Sequence, residues 1–234
     1  MAVPQAPARQ RWRLVLARAV GATEMAGRDL SEAFENALEA TGLPLQRPVG
    51  RLRTRVAFGA PLPLGTAAER ELADVTLTEV LPIWRVRDSL AGHLPAGWTL
   101  VDLFDVWLGA PALAGRVNGA IYRVVLEADN GSSGRTDTSA IAAAAADLLR
   151  QGRVPRTRLK GGSTVAYDLR PLLADVRLLD PGPPVVVRIQ TRIHPELGTG
   201  RPTEVLAALE DHLGCPLGFE SITRECLIVA GEPG

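Results

Sequence analysis

Between Arg11 and Trp107 the hydrophobic period switches repeatedly between two residues and about 3.6, and the order of those periods leaves few architectures open. Arg11–Val20 sets Trp12, Leu14 and Leu16 against Arg11, Arg13 and Val15, the alternation of a half-buried strand. Leu30, Phe34, Ala37 and Leu38 follow at helical spacing, with Asp29 as the expected N-cap, Glu32 as the expected capping-box acid, and Gly42 and Pro44 as the stop. Arg51–Phe58 predicts a second strand, with Leu52, Thr54, Val56 and Phe58 opposite Arg51, Arg53 and Arg55, ended by Pro61-Leu62-Pro63-Leu64-Gly65. Glu71–Glu79 predicts a third strand with Ala73, Val75 and Leu77 inward. Pro82 then opens a helix carrying Ile83, Val86, Leu90 and Leu94, and Thr99–Trp107 predicts a fourth strand. The order β-α-β-β-α-β calls for an α+β fold of the ferredoxin-like kind, an antiparallel sheet with two helices on one face.

The second half repeats the plan with an insertion. Ile121–Ala128 predicts a strand, Asp129–Arg135 a Gly/Ser loop, and Thr138–Arg150 a helix stopped by Gly152. Two strand-like runs then meet at Gly161-Gly162, a pair able to take the positive φ of a tight hairpin. A strand toward Leu179, a turn over 180–184, a strand over Val185–Ile193, a helix over Pro202–Leu213 closed by Gly214, and a strand over Phe219–Val229 complete the pattern. The expected domains are therefore a tail at 1–10, a first ferredoxin-like half at 11–108, a linker at 109–120, and a second half at 121–230 with an extra β-hairpin.

Composition narrows the function classes. A hydrophobic fraction of 46% and a charged fraction of 22% suit a globular chain with a full core. No window approaches the roughly 18 apolar residues of a membrane span, and residues 1–10 lack a signal-peptide core, so a cytoplasmic protein without membrane contact is expected. Formal net charge is zero, which excludes a protein that depends on a global positive field, so any anion site must be local. His93, His194 and His212 have no second ligand at metal spacing, Cys215 and Cys226 fit no metal or redox motif, and no serine sits in a nucleophile elbow. No metal, cofactor or catalytic group is expected.

The basic residues are more informative. The chain has one lysine, Lys160, among its 26 basic residues. Strand alternation puts Arg156, Arg158 and Lys160 on one face, Arg51, Arg53 and Arg55 on another, and Arg188 and Arg192 on a third. Between Asp147 and Asp168 every charged residue is basic, a patch able to hold phosphates. The competing reading is a set of solvated faces with cross-strand partners, such as Arg53 or Arg55 with Asp74. Gly198-Thr199-Gly200-Arg201-Pro202 leads into a helix start, where free amides and Arg201 could hold an anion. Asp168 and Arg170 share a strand face and could pair with each other or with Lys160, as an ion cluster or as part of a ligand site.

Gly42-Leu43-Pro44-Leu45, Pro61-Leu62-Pro63-Leu64-Gly65, Lys160 with Asp168-Leu169-Arg170-Pro171, Gly200-Arg201-Pro202 with Glu204-Val205-Leu206, and Arg224 occur in an order that resembles the bacterial radical SAM-linked domain of unknown function. The resemblance runs over about residues 11–229. Members of that family are fused to, or encoded beside, a radical SAM protein, often near genes for a ribonuclease and ribosomal proteins. The resemblance thus implies an accessory module acting with a radical SAM protein in trans, on tRNA or rRNA, and adds Arg224 to the candidate site. Two family motifs depart. Ser-His-Leu-Asp-Leu is replaced by Ala26-Gly27-Arg28-Asp29-Leu30, and Gly-Phe-Asn-Pro-His-Pro by Gly50-Arg51-Leu52-Arg53-Thr54-Arg55, so both family histidines are gone. With two cysteines, the chain lacks the three-cysteine motif of a radical SAM enzyme itself. The expectation is a non-catalytic RNA-binding module using Arg156, Arg158, Lys160, Asp168, Arg170, Arg201 and Arg224. A protein adaptor without nucleic-acid contact is the alternative, and a small-molecule enzyme comes third.

Overall fold

The structure, a computed structural model, describes residues 6–22, 25–51, 53–127, 137–160 and 162–231, with the side chains of Leu159 and Lys160 outside that description. The loop expected at Asp129–Arg135 and the inward Leu52 also lie outside it. The α+β class is the one expected, and the chain divides into two compact units, Met1–Val117 and Asn118–Gly234.

The first unit runs β1 (Gln10–Arg18), α1 (Gly27–Ala40), β2 (Ala57–Phe58), β3 (Thr66–Leu77), α2 (Ile83–Leu90) and β4 (Trp98–Val106), followed by a 3-10 turn at Leu113–Gly115. Its strands stand in the order β4-β1-β3-β2. β1 is central, with Leu14 opposite Ala73 of β3 on one side and Leu103 of β4 on the other. Trp12, Leu14 and Leu16 join Leu30, Phe34 and Leu38 of α1 and Val86 and Leu90 of α2 in one core. Phe34 packs edge-on against Phe58 and Trp98, with ring centroids 5.2 and 5.0 Å away.

Several local expectations change here. Asp29 is not the N-cap: Ala26 holds that position in extended conformation without a side-chain bond, and Asp29 sits in the first turn, where its charge still favours the helix dipole. Glu32 forms no capping box and instead faces Arg53. The strand expected over Arg51–Phe58 shrinks to Ala57–Phe58, although Thr54 and Val56 are buried between exposed Arg53 and Arg55. Burial alternates there without a ladder, because Glu39 Oε1 accepts from Thr54 N and Thr54 Oγ1 donates to Gln46 O. α2 stops at Leu90, before Leu94, and Ile83 is exposed. Arg13, expected on an open face, is 1% exposed, because its register partner Asp74 on β3 takes Nε at 2.8 Å and Nη2 at 3.1 Å.

The second unit contains β5 (Val117–Leu126), which starts at the unit boundary, α3 (Thr138–Arg150), β6 (Pro155–Lys160), β7 (Ser163–Asp168), a 3-10 turn at Arg170–Leu172, β8 (Leu173–Asp180), β9 (Val186–His194), β10 (Gly198–Thr199), α4 (Pro202–Leu213) and β11 (Phe219–Val229). Four long strands stand in the order β8-β9-β5-β11, and β10 pairs with the end of β9. α3 begins at the predicted residue because the Asp137 side chain accepts from the Ser139 and Ala140 amides. α4 ends at Gly214, whose φ of +70° is left-handed. The helices pack on one another and bury Ile141, Ala144, Ala145 and Leu148 from α3 with Val205, Leu206, Ala208 and Leu209 from α4. The β6–β7 hairpin is a separate two-stranded sheet inserted between α3 and β8. Lys160 opposes Ser163 across a two-residue turn, and Gly162 takes a φ of +84° there.

Candidate functional site

Three arginines of the first unit are matched by acids of α1. Arg53 reaches Glu32 at 3.3 Å, Arg51 reaches Glu35 at 3.8 Å, and Arg47 binds Glu39. The Arg47 hydrogen bond, outweighing the cost of burial, holds the Glu39 carboxyl below its ordinary range. The expected pairing of Arg53 or Arg55 with Asp74 is absent among the described contacts, since Asp74 is held by Arg13 with Arg11 at 3.9 Å. A cleft of about 580 Å³ in this unit is lined mostly by apolar groups such as Leu30, Phe58 and Trp98, and of its two acids, Glu71 and Asp74, the second is bound by Arg13.

In the second unit, β6 carries the basic series without an acid. Its root is fixed by backbone and carboxylate bonds: Leu169 N donates to Val154 O at 2.8 Å, and Asp168 Oδ1 accepts from Val154 N at 2.8 Å and from Arg170 N at 3.0 Å. Asp168 is thereby spent on turning the chain. Arg156 is oriented by an ion pair, Nη1 to Asp211 Oδ2 of α4 at 2.6 Å. Arg158 lies over the Tyr167 ring, 4.7 Å from its centroid, and its Nη2 reaches Leu197 O at 3.4 Å, just before the Gly198–Thr199 strand. Lys160 holds the turn end of β6, with a side chain outside the described set.

The remaining candidates are spread more widely. Arg201 is exposed at the N-cap of α4, and its guanidinium has no partner among the described residues. Arg170 gives its donors to carbonyls at the end of α3 and beyond: Leu149 O at 2.9 Å, Gln151 O at 3.1 Å and Leu173 O at 2.9 Å. Arg224 is 1% exposed within β11 and presents no face to solvent. Arg188 bonds Glu225 at 2.9 Å, and Arg192 donates to Pro171 O and Leu173 O. The structure therefore gathers Arg156 and Arg158 at the hairpin, with Arg201 at the start of the adjoining helix, and turns Asp168, Arg170 and Arg224 inward.

Two residues at this place were not singled out by sequence reasoning for their own chemistry. Tyr167 and Glu204 line, with Arg156, a cleft of about 480 Å³ between the hairpin root and α4. Burial first, and then the Glu204 carboxylate, push the Tyr167 phenol well above its ordinary range. Glu204 acts on the phenol as a hydrogen-bonding and charged neighbour, although the contact is not an aligned bond among the described residues, and both Tyr167 Oη and Glu204 Oε2 are closed to solvent. The available signal was the spacing of Glu204 and Asp211, two turns apart on one face of a predicted helix.

Two of the three histidines serve local structure. His212 Nε2 lies 3.1 Å from Asp147, and His194 Nδ1 accepts from the Glu196 and Leu197 amides. No group of three metal-ligating side chains occurs among the described residues, and none of their helices is long and apolar enough to cross a membrane.

Residues 11–205 match a family described as "Uncharacterized protein conserved in bacteria (DUF2344)", and the chain belongs to that family. No curated protein matches it. Among solved structures it is similar to a chain of a Cbf5-Nop10-Gar1 complex, at 9% identity and a TM-score of 0.48, covering 92% of this chain and 48% of that one. The chain thus spans about half the length of that structure, and a likeness of this size says nothing of ligand or activity.

Proposed function

We propose that this family member is a non-catalytic accessory module that binds RNA, tRNA or rRNA, and works with a radical SAM protein supplied in trans. The observation that carries the reading is the β6–β7 hairpin, a separate two-stranded sheet whose β6 strand bears basic residues and no acid, with Arg158 seated on the Tyr167 ring. Arg158 is stacked on Tyr167 with Nη2 on Leu197 O, which leaves its remaining donors for phosphate, and zero net charge puts any electrostatic footing for RNA on such a local patch. In this reading Arg156, Arg158, Lys160 and Arg201 meet the phosphates, while Asp168 and Arg170 fix the hairpin root and Arg224, buried in β11, stays off the contact face. The module has two domains, 11–108 and 121–230, joined through 109–120, and acts in the cytoplasm.

The test is fluorescence-detected binding of labelled tRNA and rRNA fragments across a salt series. Affinity should fall steeply with salt, and an Arg158→Ala/Arg201→Ala pair should reduce the log–log salt slope by about 2. No binding at low salt, or an unchanged slope in the double variant, would remove the reading. One observation favours a protein adaptor instead. β4 has β1 as its only ladder partner among the described strands, and it exposes Val101 and Phe104, with Trp107 just beyond it 78% exposed. A radical SAM protein adding a strand there would protect the β4 amides from exchange.

A further inference from the structure

Two cavities of the first unit adjoin. The cleft lined by Leu30, Phe58 and Trp98 shares Ser31, Arg55 and Val56 with a second cavity, also of about 580 Å³, whose other lining residues are Arg28, Glu32, Glu35, Arg51 and Arg53. Each volume is in the range of small-ligand sites. Arg55, which is exposed, stands where the apolar space meets the basic one.

Charge in the basic cavity is unevenly committed. Arg51 and Arg53 face Glu35 and Glu32 at 3.8 and 3.3 Å, whereas the exposed Arg28 and Arg55 have no hydrogen bond or ion pair among the described residues. A guanidinium takes phosphate oxygens through paired donors, and a phosphomonoester carries close to two negative charges at neutral pH, so the two free arginines match one such group. Glu32 and Glu35 oppose a longer run of phosphates, which makes a single terminal phosphate a better fit here than a continuous RNA backbone. The apolar cleft adds no free charge of its own besides Arg55. Glu71 and Asp74 are 1% and 5% exposed and both are engaged, Asp74 by Arg13, and Arg11 is tied through Nη2 to Trp107 O and Ala110 O. Gln46 and Thr76, half-buried in the same lining, have side chains without a hydrogen bond among the described residues, and together they offer donors and acceptors. A flat group with apolar faces and a donor–acceptor edge suits that lining, as a nucleobase does. Inorganic phosphate would use the basic cavity alone, a purely apolar body the cleft alone, and a metal cation would be repelled by the free arginines.

We infer that the adjoining cavities of the first unit form a site for a nucleoside monophosphate group, with the phosphate on Arg28 and Arg55 and the base in the cleft beside Phe58, bonded by Gln46 and Thr76. A free nucleotide and the 5′-phosphorylated end of an RNA present this same chemistry. The site shares no residue with the hairpin surface and does not rest on the RNA reading above.

The test is calorimetric titration of the full chain with adenosine monophosphate, and with adenosine and inorganic phosphate as its two parts, at up to millimolar concentration. The monophosphate should saturate and bind about tenfold or more tightly than either part. An Arg28→Gln/Arg55→Gln pair, exposed and unpaired in the fold, should weaken it about tenfold or more at an unchanged melting temperature. Gln46→Leu should weaken the monophosphate and leave inorganic phosphate as it was. Adenosine or inorganic phosphate binding as tightly as the monophosphate, no saturable binding of the monophosphate, or binding that survives the double variant would each overturn the site. A 5′-phosphorylated trinucleotide separates the two sources. Affinity equal to that of the monophosphate supports the site as one for an RNA end, and affinity about tenfold lower supports it as one for a free nucleotide. Steeply salt-dependent RNA binding that depends on Arg158 and Arg201 would stand if this site failed, and the site would stand if that binding were absent.

Discussion

Arg170→Met separates a structural arginine from a ligand-binding one. Arg170 spans Leu149 O, Gln151 O and Leu173 O, at 2.9, 3.1 and 2.9 Å. The first two carbonyls belong to the C-terminal turn and cap of α3, which have no intrahelical donor. Three bonds do not mean three losses. The bond to Gln151 O is exposed, so water replaces it, and Leu173 O keeps Arg192 Nη1 at 2.8 Å. The net cost is then one part-buried carbonyl left without its charged donor, about 1–2 kcal/mol, plus about 0.3–1 kcal/mol for a cation lost from a helix C-terminus. Methionine keeps much of the stem's packing. A total of about 2 kcal/mol should lower the thermal midpoint by about 4–8 °C, read by circular dichroism. RNA affinity measured well below that midpoint should be unchanged. A midpoint that stays in place while RNA affinity falls would refute the clamp and return Arg170 to the binding surface.

Three further substitutions test other parts of the structure. Asp74→Asn leaves the 1%-exposed Arg13 without its anionic acceptor and should cost about 3–5 kcal/mol in denaturant titration, whereas Arg13→Met/Asp74→Leu should recover most of that loss. Phe34→Ala removes a fully buried ring that meets both Phe58 and Trp98 and should cost about 3–5 kcal/mol, with Phe34→Leu costing much less, as read from the guanidinium midpoint. Asp137→Ala removes the N-cap of α3. The Ser139 hydroxyl, then the Ala140 and Ser139 amides, hold the Asp137 carboxyl below its ordinary value of 3.8, so its stabilisation is present above that value and is lost as pH falls below it. The drop in melting temperature should therefore appear at pH 7 and vanish in acid, and a drop that persists in acid would contradict this cap.

Local signals predicted elements well where one local cause sufficed. α3 starts at the expected Thr138, where the Asp137 side chain takes two amides, Gly214 ends α4 as expected, and Gly162 takes its positive φ in the expected hairpin turn. Expectations failed where a distant partner decided. Arg51–Phe58 has strand alternation, but Glu39 of α1 takes the Thr54 amide that a ladder would have used, and pairing begins only at Ala57. Arg13 alternates like a surface residue, and register with Asp74, 61 positions away, gives its buried charge a carboxylate partner. The candidate site divides along the same line. Arg156 and Arg158 were legible because alternation alone puts them on one face, whereas the inward turn of Arg170 depends on three carbonyls that no pattern marks. Tyr167 and Glu204 were missed for a related reason: each looks ordinary in its own element, and their chemistry arises only when the inserted hairpin is laid along α4. An insertion between α3 and β8 adds nothing to the four-stranded order of this unit. Its contribution is the cleft between its root and α4, with Arg156 tied to Asp211 and Arg158 seated on the Tyr167 ring.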